Sequence, residues 1–224
     1  MSEPISPSTG WGVLHLFCTA VGPIDAEAVA AAVKRAQAAD HTALCATLLG
    51  HKADAAFMAL GPDWRVLRQF QSDIQHAGFH VTDSYVSLTE VSEYAKGMPE
   101  DHLKARLYPQ LPAEGKPVFC FYPMTKRRDP GANWFTEAFE DRERMMREHG
   151  SSGRKFAGRI VQLITGSTGL DAYEWGVTLF AQKPDDLKEV VYTMRFDEAS
   201  AKYGIFGDFW VGYLVSPEEL VASL

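Results

Sequence analysis

The strongest constraint on the fold is an order of predicted strands and helices that occurs twice along the chain. In the first half, apolar residues alternate in short runs, as in strands, and two helix-forming stretches begin with Asp or Pro. The predicted elements of this half are strands 10–17, 42–50, 55–61 and 84–91 and helices 25–39 and 62–78. Their order, β-α-β-β-α-β, is that of a ferredoxin-like unit.

The second half repeats this order, with predicted strands 117–124, 159–166, 175–182 and 208–215 and helices 134–149 and 184–204. The sequence therefore predicts an α+β fold in which two ferredoxin-like units pair or pack as an α+β barrel. The expected division is a loose tail at residues 1–9, an N-terminal subdomain at 10–91, a charged connector at 92–116 and a C-terminal subdomain at 117–224. Helix 134–149 is expected to end where His149 meets Gly150, because a cationic side chain and a glycine both suit a helix C-terminus.

Composition narrows the class of protein. The 224 residues are 46% hydrophobic, and the net charge of −7 argues against a general nucleic-acid binder. No apolar run is long enough to predict a membrane span, and the first residues lack the basic and apolar regions of a secretion signal. Cys18, Cys45 and Cys120 stand in apolar stretches without metal-site spacing, which predicts buried, reduced thiols in a cytoplasmic protein.

Polar side chains at strand spacing mark a candidate site in the second half. Tyr122, Met124 and, if the strand extends, Lys126 share one face, because side chains alternate along a strand. On the strand expected to pair with it, Gln162 is a lone amide among apolar residues, and a buried amide needs a hydrogen-bond partner. We expect this site on the sheet face opposite the helices.

The local pattern leaves simpler interpretations open. Tyr122 can be a packed aromatic side chain, Lys126 part of a solvated turn, and His149 a helix cap. The segment between positions 104 and 159 is also locally basic in an acidic protein. Those cations can be ordinary surface residues, or a few of them can converge on an anionic ligand. Composition does not choose between these possibilities.

Four segments together resemble a known family: FYPMTKRR, NWF, MMREHGSSGRKFAGRIVQLITGSTGLDAYEWGVTLF and VVYTMRFDEASAKYGIFGDFWVGY. They are similar to the chlorite dismutase superfamily, and specifically to its coproheme decarboxylase branch, the HemQ-type haem synthases. The similarity runs from Arg106 to Tyr213, and GWGVLHLF, GHKAD and SYVSLTEV are shorter matching fragments in the first half.

The resemblance implies a role for each candidate residue. His149 corresponds to the proximal ligand of the haem iron, and Tyr122 to the redox-active tyrosine of the decarboxylases. Lys126 is similar to the lysine that assists at the reacting propionate, and Gln162 corresponds to a residue on the distal, peroxide-facing side. The residues implied to bind the porphyrin carboxylates or to lie in that segment are Arg106, Met124, Arg154, Ser200 and Tyr85.

The implied function is peroxide-dependent oxidative decarboxylation of the 2- and 4-propionates of iron-coproporphyrin III (coproheme) to vinyl groups, which gives haem b. Coproheme is then both substrate and cofactor, and hydrogen peroxide is the oxidant. The resemblance further implies a homopentamer and a transient contact with coproporphyrin ferrochelatase. The alternatives are a chlorite dismutase-like haem peroxidase and a non-catalytic haem-binding protein. Chlorite dismutases place an arginine where this chain has Gln162, and a neutral amide lacks the positive charge that would hold chlorite.

Overall fold

The first half of the chain folds as its capping residues and apolar periods predict. A computed structural model describes residues 3–224. The side chain of Asp25 accepts a hydrogen bond from the first turn of one helix, and Asp63 does the same for the next. The elements are β1 (Gly12–Ala20), α1 (Ala26–Ala38), β2 (Thr42–Leu48), β3 (Ala55–Gly61), α2 (Trp64–His76) and β4 (Phe79–Thr89).

The second half repeats the order and adds several short elements. After the connector helix α3 (Glu100–Leu107) come β5 (Val118–Lys126), the small hairpin β6 (Arg128–Asp129) and β7 (Ala132–Asn133), and a 3-10 turn at Trp134–Thr136. The remaining elements are α4 (Phe139–Arg154), β8 (Ile160–Gly166), β9 (Trp175–Ala181), α5 (Pro184–Met194), α6 (Glu198–Tyr203), β10 (Gly204–Phe206), β11 (Trp210–Val215) and α7 (Pro217–Ala222).

The strands form one sheet that closes on itself. Its order is β10-β5-β11-β2-β3-β1-β4-β8-β9, and β9 also pairs with β5. Each half contributes the strand order of a ferredoxin-like unit, β4-β1-β3-β2 and β11-β5-β9-β8, and the halves join where β2 meets β11 and β4 meets β8. The predicted α+β fold of two ferredoxin-like units is confirmed, and their sheets form a barrel.

Closure of the barrel decides which sheet face can hold a ligand. The interior is filled by apolar and aromatic side chains such as Phe17, Phe121 and Trp210. Tyr122 points the other way and packs with Leu187 and other residues of the helices that cover the second half. The expectation that the site lies on the face opposite the helices is therefore wrong, because that face is the packed interior of the barrel.

Two predicted helix boundaries are also wrong. Helix α4 does not stop at Gly150 but continues to Arg154. The glycine and serine residues that suggest a stop lie inside the helix, where tertiary packing outweighs their weak helix propensity. The predicted helix 184–204 is two helices, because Asp197 caps a new one by accepting a hydrogen bond from the backbone N–H of Ser200 at 2.9 Å.

Three smaller observations complete the fold. Residues 3–9 form neither helix nor strand, yet Ile5 exchanges hydrogen bonds with the start of α2, so this part of the predicted tail is not loose; residues 1 and 2 lie outside the described part. Cys18, Cys45 and Cys120 are free and buried, as predicted. Within residues 3–224, no helix combines the length and apolar composition that crossing a bilayer requires.

Candidate functional site

The floor of the candidate site is the helix-facing side of three neighbouring strands. The strand expected to pair directly with β5 is separated from it, because β9 lies between β5 and β8. Strand register places Tyr122, Val177 and Ile164 in one row and Leu179 beside Gln162 in the next. Ile164 is 38% exposed, so this apolar surface is not fully covered by the helices. The result is a mostly apolar floor with a phenol at one side and an amide at the other.

Tyr122 is held between aromatic rings. Its ring stacks on Phe209 at 4.4 Å between centroids, and Phe206 lies at 5.8 Å. Burial raises the pKa of the Tyr122 phenol and Cys120 adds to the rise, whereas the guanidinium of Arg195 opposes it. The phenol is therefore protonated at neutral pH, in surroundings from which water is largely excluded.

Arg195 is a residue that the sequence reasoning missed. Its guanidinium lies 5.0 Å from the ring centre of Phe206, close enough to Tyr122 to affect the phenol. Among the ion pairs of residues 3–224 it has no carboxylate partner. A surface arginine without such a partner, beside an apolar floor, suits an anionic ligand. Its position within the MRFDE segment is the only sequence signal that could have indicated it.

His149 is oriented by a carboxylate from α6. Its Nδ1 lies 3.0 Å from Oδ2 of Asp197 and 3.3 Å from Oγ of Ser200. Burial would raise the pKa of Asp197, but hydrogen bonds from His149 and from the N–H of Ser200 outweigh it and lower that pKa. An Nδ1 donor held by a carboxylate leaves Nε2 as the ligand atom. The interpretation of His149 as a helix cap is wrong, because α4 continues beyond it.

Asp197 was not identified from the sequence. The segment around it was predicted as one continuous helix, which would place Asp197 on a helix surface. Only the break between α5 and α6 makes its side chain both an N-cap and the partner of His149.

The face of α4 that carries His149 also approaches Gln162. Gly153 lies one helical turn after His149 and therefore on the same face. A methyl group added at Gly153 would lie 3.7 Å from Nε2 of Gln162 and 3.8 Å from the terminal methyl of Met194. The helix therefore lies close to β8 at this point. His149 and Gln162 consequently border the same space between helix and sheet.

Lys126 is buried rather than part of a solvated turn. Strand β5 extends to it, and the side chain is 5% exposed. Its Nζ donates a hydrogen bond to the carbonyl oxygen of Ala199 at 2.9 Å and lies 4.7 Å from the ring centre of Trp134. Burial lowers the pKa of Lys126 to about 8, although Asp197 opposes the shift. The ammonium therefore faces α6 and the network that holds His149.

The other predicted residues differ in whether they lie near the floor of the candidate site. Met124 is half-buried at the edge of the floor, and Arg154 is exposed at the end of α4. Arg106 is exposed on α3, and no contact of the described residues links it to the floor. Tyr85 is not brought to the site, because it lies inside the barrel, where its hydroxyl bonds with Ser167.

The donor set suits a metal that is already held by a macrocycle. Within residues 3–224, no group of three or more His, Cys, Asp or Glu side chains could hold a bare metal ion. His149 offers one imidazole nitrogen, Arg154 ends the same helix, and Arg195 lies beside the aromatic rings around Tyr122. One histidine ligand, an apolar surface and nearby cations would fit an iron porphyrin with carboxylate substituents.

The barrel of two ferredoxin-like units and its carboxylate-held histidine define the class as an α+β-barrel protein with a candidate haem site. The chain belongs to the chlorite dismutase family, whose model (Chlorite dismutase) matches residues 24–215. The coproheme decarboxylase of Staphylococcus carnosus is 40% identical, over 98% of this chain and 98% of that protein.

Solved structures show the same fold. A heme-binding protein from Thermus thermophilus superposes with a TM-score of 0.87 at 32% identity and covers 100% of this chain and 99% of its own. A doubly substituted mutant of the chlorite dismutase from Candidatus Nitrospira defluvii has a TM-score of 0.78, with 97% and 96% of the two chains covered. At 16% identity, that likeness shows the fold alone.

Proposed function

We propose that this protein is a hydrogen-peroxide-dependent coproheme decarboxylase, which converts the 2- and 4-propionates of iron-coproporphyrin III to vinyl groups and releases haem b. The observation that carries the proposal is a buried phenol, Tyr122, on the same floor as Gln162, which lies next to the helix that carries His149. The near full-length similarity to a coproheme decarboxylase supports the same function. Each decarboxylation consumes one peroxide and one proton and yields carbon dioxide, two waters and a vinyl group.

When bound, the iron porphyrin supplies oxidation by peroxide, and the protein supplies placement. His149 would ligate the iron through Nε2, with Asp197 Oδ2 accepting a hydrogen bond from Nδ1–H. Ser200 hydrogen-bonds the same pair in this structure, so we assign it to the orientation of His149 in preference to a direct carboxylate contact. Gln162, which the family resemblance assigns to the distal side, would face peroxide.

Tyr122 is the residue proposed to react. Loss of one electron and one proton from its phenol gives a tyrosyl radical, which takes a hydrogen atom from the β-carbon of a propionate and so restores the phenol. The carbon radical then loses one electron, and the bond to the carboxylate carbon breaks to give a vinyl group and carbon dioxide. Burial among Phe206 and Phe209 supports this role, because it keeps water away from the radical.

The cations at the margin are proposed to recognise the four propionates. Arg154 and Arg195 would do so at the surface, where the guanidinium fork matches a carboxylate. For Arg106, on α3, the proposal rests on the family resemblance alone. Lys126 would act at the reacting propionate after turning from the carbonyl of Ala199. A lysine with a pKa near neutrality can donate or accept a proton in that position. Met124 would contact the porphyrin edge, and the geometry gives no support to Tyr85.

Chlorite dismutation is the alternative on this scaffold, and the neutral side chain of Gln162 disfavours it.

We further propose a cytoplasmic homopentamer that receives coproheme through transient contact with coproporphyrin ferrochelatase. Support for association comes from large apolar side chains that are more than a third exposed, among them Val21, Leu49, Phe135, Tyr192 and Phe196.

The test is the mass of the porphyrin after the purified protein, loaded with coproheme, has received hydrogen peroxide. We expect the loss of two carboxyl groups. Tyr122→Phe should bind coproheme yet leave its mass unchanged, and Tyr192→Phe, an exposed tyrosine, should react like the wild type. Consumption of peroxide with an unchanged porphyrin mass in the wild type would contradict the proposal. Full turnover in Tyr122→Phe would contradict the radical assignment.

A further inference from the structure

The turn between β2 and β3 carries a lysine that reaches into the second half of the chain. This turn contains the GHKAD fragment, and several contacts fix it. The N–H of Leu49 donates to the carbonyl of Val211 at 2.9 Å, and the carboxylate of Asp54 accepts from the N–H of Ala20 at 2.9 Å. From this rigid turn, the half-buried Lys52 extends its ammonium toward the start of β11.

Lys52 holds the segment that packs against Tyr122. Its Nζ donates a hydrogen bond to the carbonyl oxygen of Phe209 and lies 5.2 Å from the ring centre of Trp210. At the other end of the segment, the N–H of Gly207 donates to the carbonyl of Pro123 at 2.8 Å. The residues from Gly207 to Phe209 are thus attached at both ends, once to the strand of Tyr122 and once to Lys52.

The ring of Phe209 links Lys52 to the phenol of Tyr122. It stacks on Tyr122 with an interplanar angle of 24°. The carbonyl that Lys52 holds belongs to the same residue as the stacking ring, so this hydrogen bond restrains the backbone from which the ring extends. The next residue, Trp210, is fixed by its pairing with Phe121, so Lys52 acts on the peptide group just outside the strand. A hydrogen bond from a charged donor is stronger than a neutral one, so its loss would loosen that peptide group.

We infer that Lys52 is a positioning residue for Tyr122, acting through Phe209. The inference rests on the proposed function, since the orientation and dryness of the phenol matter most if Tyr122 is oxidised. Lys52 does not touch Tyr122 and takes no part in the chemistry. Its role is to keep the aromatic cover closed, so that the Tyr122 ring has one orientation toward the floor and water stays away from its oxygen.

The first test uses the apoprotein and measures the ring-flip rate of Tyr122 by NMR with labelled tyrosine, assigned with Tyr122→Phe. Lys52→Met keeps the apolar stem on Trp210 but removes the donor. We expect the ring to flip about tenfold faster or more, as a barrier lowered by one charged hydrogen bond allows. Lys52→Arg should largely restore the slow rate. Lys34→Met, an exposed lysine on α1, is the matched control and should change nothing.

A double-mutant cycle separates positioning from general stability. In a Phe209→Leu background, Lys52→Met should have no further effect on the Tyr122 ring, because the link is already broken. An unchanged flip rate in Lys52→Met would overturn the inference, whether or not that variant is less stable to urea. The inference would also be overturned if Lys52→Met changed the flip rate of the Tyr122 ring by the same factor in the wild-type and Phe209→Leu backgrounds. If Lys52→Met proves too unstable to study, the same comparison is made with Lys52→Gln.

The loaded protein gives a second readout. With coproheme and peroxide, Lys52→Met should lower kcat for decarboxylation and leave coproheme affinity unchanged, since the ammonium of Lys52 is already bound to the carbonyl of Phe209 and is not one of the cations proposed to bind carboxylates. If the wild type fails to decarboxylate, the proposed function fails, and the ring-flip result still decides whether Lys52 positions Tyr122. If Lys52→Met has the kcat of an active wild type although its Tyr122 ring flips faster, the positioning has no effect on the reaction, and the inference is overturned.

Discussion

Replacement of Lys126 by methionine should remove a pH dependence from the stability of this protein. Lys126 is a buried ammonium whose pKa in the folded protein is about 8, against 10.5 for an ordinary lysine. Between these two pH values the unfolded chain binds more protons than the folded one, so the free energy of unfolding rises with pH. The cost of burying the charge is fully present below about pH 8 and absent above about pH 10.5.

The magnitude follows from the two pKa values. A difference of about 2.5 pKa units, at about 1.4 kcal/mol per unit, corresponds to about 3 kcal/mol. The methionine variant fills the same space and titrates nothing, although it leaves the carbonyl of Ala199 without this donor. The stability of the wild type relative to Lys126→Met should therefore rise by about 3 kcal/mol between about pH 7 and about pH 10.5.

Urea unfolding of both apoproteins across this range measures the difference directly. Buried tyrosine and cysteine side chains also change stability at alkaline pH, because burial raises the pKa values of Tyr122 and Cys120, but they do so equally in both proteins. The difference between the two free energies of unfolding therefore reports the titration of Lys126 alone. A difference that stays constant within about 0.5 kcal/mol over the whole range would refute a buried, partly deprotonated lysine beneath α6.

Three further substitutions test other parts of the structure. Asp197→Asn should lower the iron–imidazole stretching frequency of the coproheme complex, since His149 loses its anionic partner; resonance Raman spectra that match the wild type would contradict this. Gly150→Ala should raise the free energy of unfolding by about 0.5–1 kcal/mol because this glycine lies inside α4. A decrease of similar size, measured by urea unfolding, would instead indicate that the helix ends at Gly150. Gly212→Ala should largely prevent folding, as its Cβ would overlap the carbonyl of Thr47 where β2 meets β11; native circular dichroism and near wild-type stability would refute this.

The residues that share a face of β5 were predictable, and the direction of that face was not. Alternation alone places Tyr122, Met124 and Lys126 together, because the side-chain period of a strand is local. Whether their face looks into the barrel or toward the helices depends on which distant strands become neighbours. The pairings of β2 with β11 and of β4 with β8 seal the interior, and no local pattern records them.

The partners of His149 also could not be predicted from local sequence patterns. The histidine, the glycines and the serines of this segment are a reasonable helix-end pattern, and only the tertiary structure shows that the helix continues through them, with Gly153 close to Gln162 and Met194. Asp197 becomes the partner of His149 because α5 ends before it and α6 begins after it. Each outcome depends on contacts between segments far apart in the chain.

The sequence by itself determined the doubled order of strands and helices, most element positions, the buried cysteines and, through its resemblance, the family. These properties follow from short periods, caps and dense motifs, which neighbouring residues encode. The tertiary structure decided which sheet face is accessible, that Lys126 turns toward Ala199, and that Lys52 and Tyr122 are linked through Phe209. These depend on where the closed barrel brings remote residues into contact, and local sequence patterns carry no information about such distances.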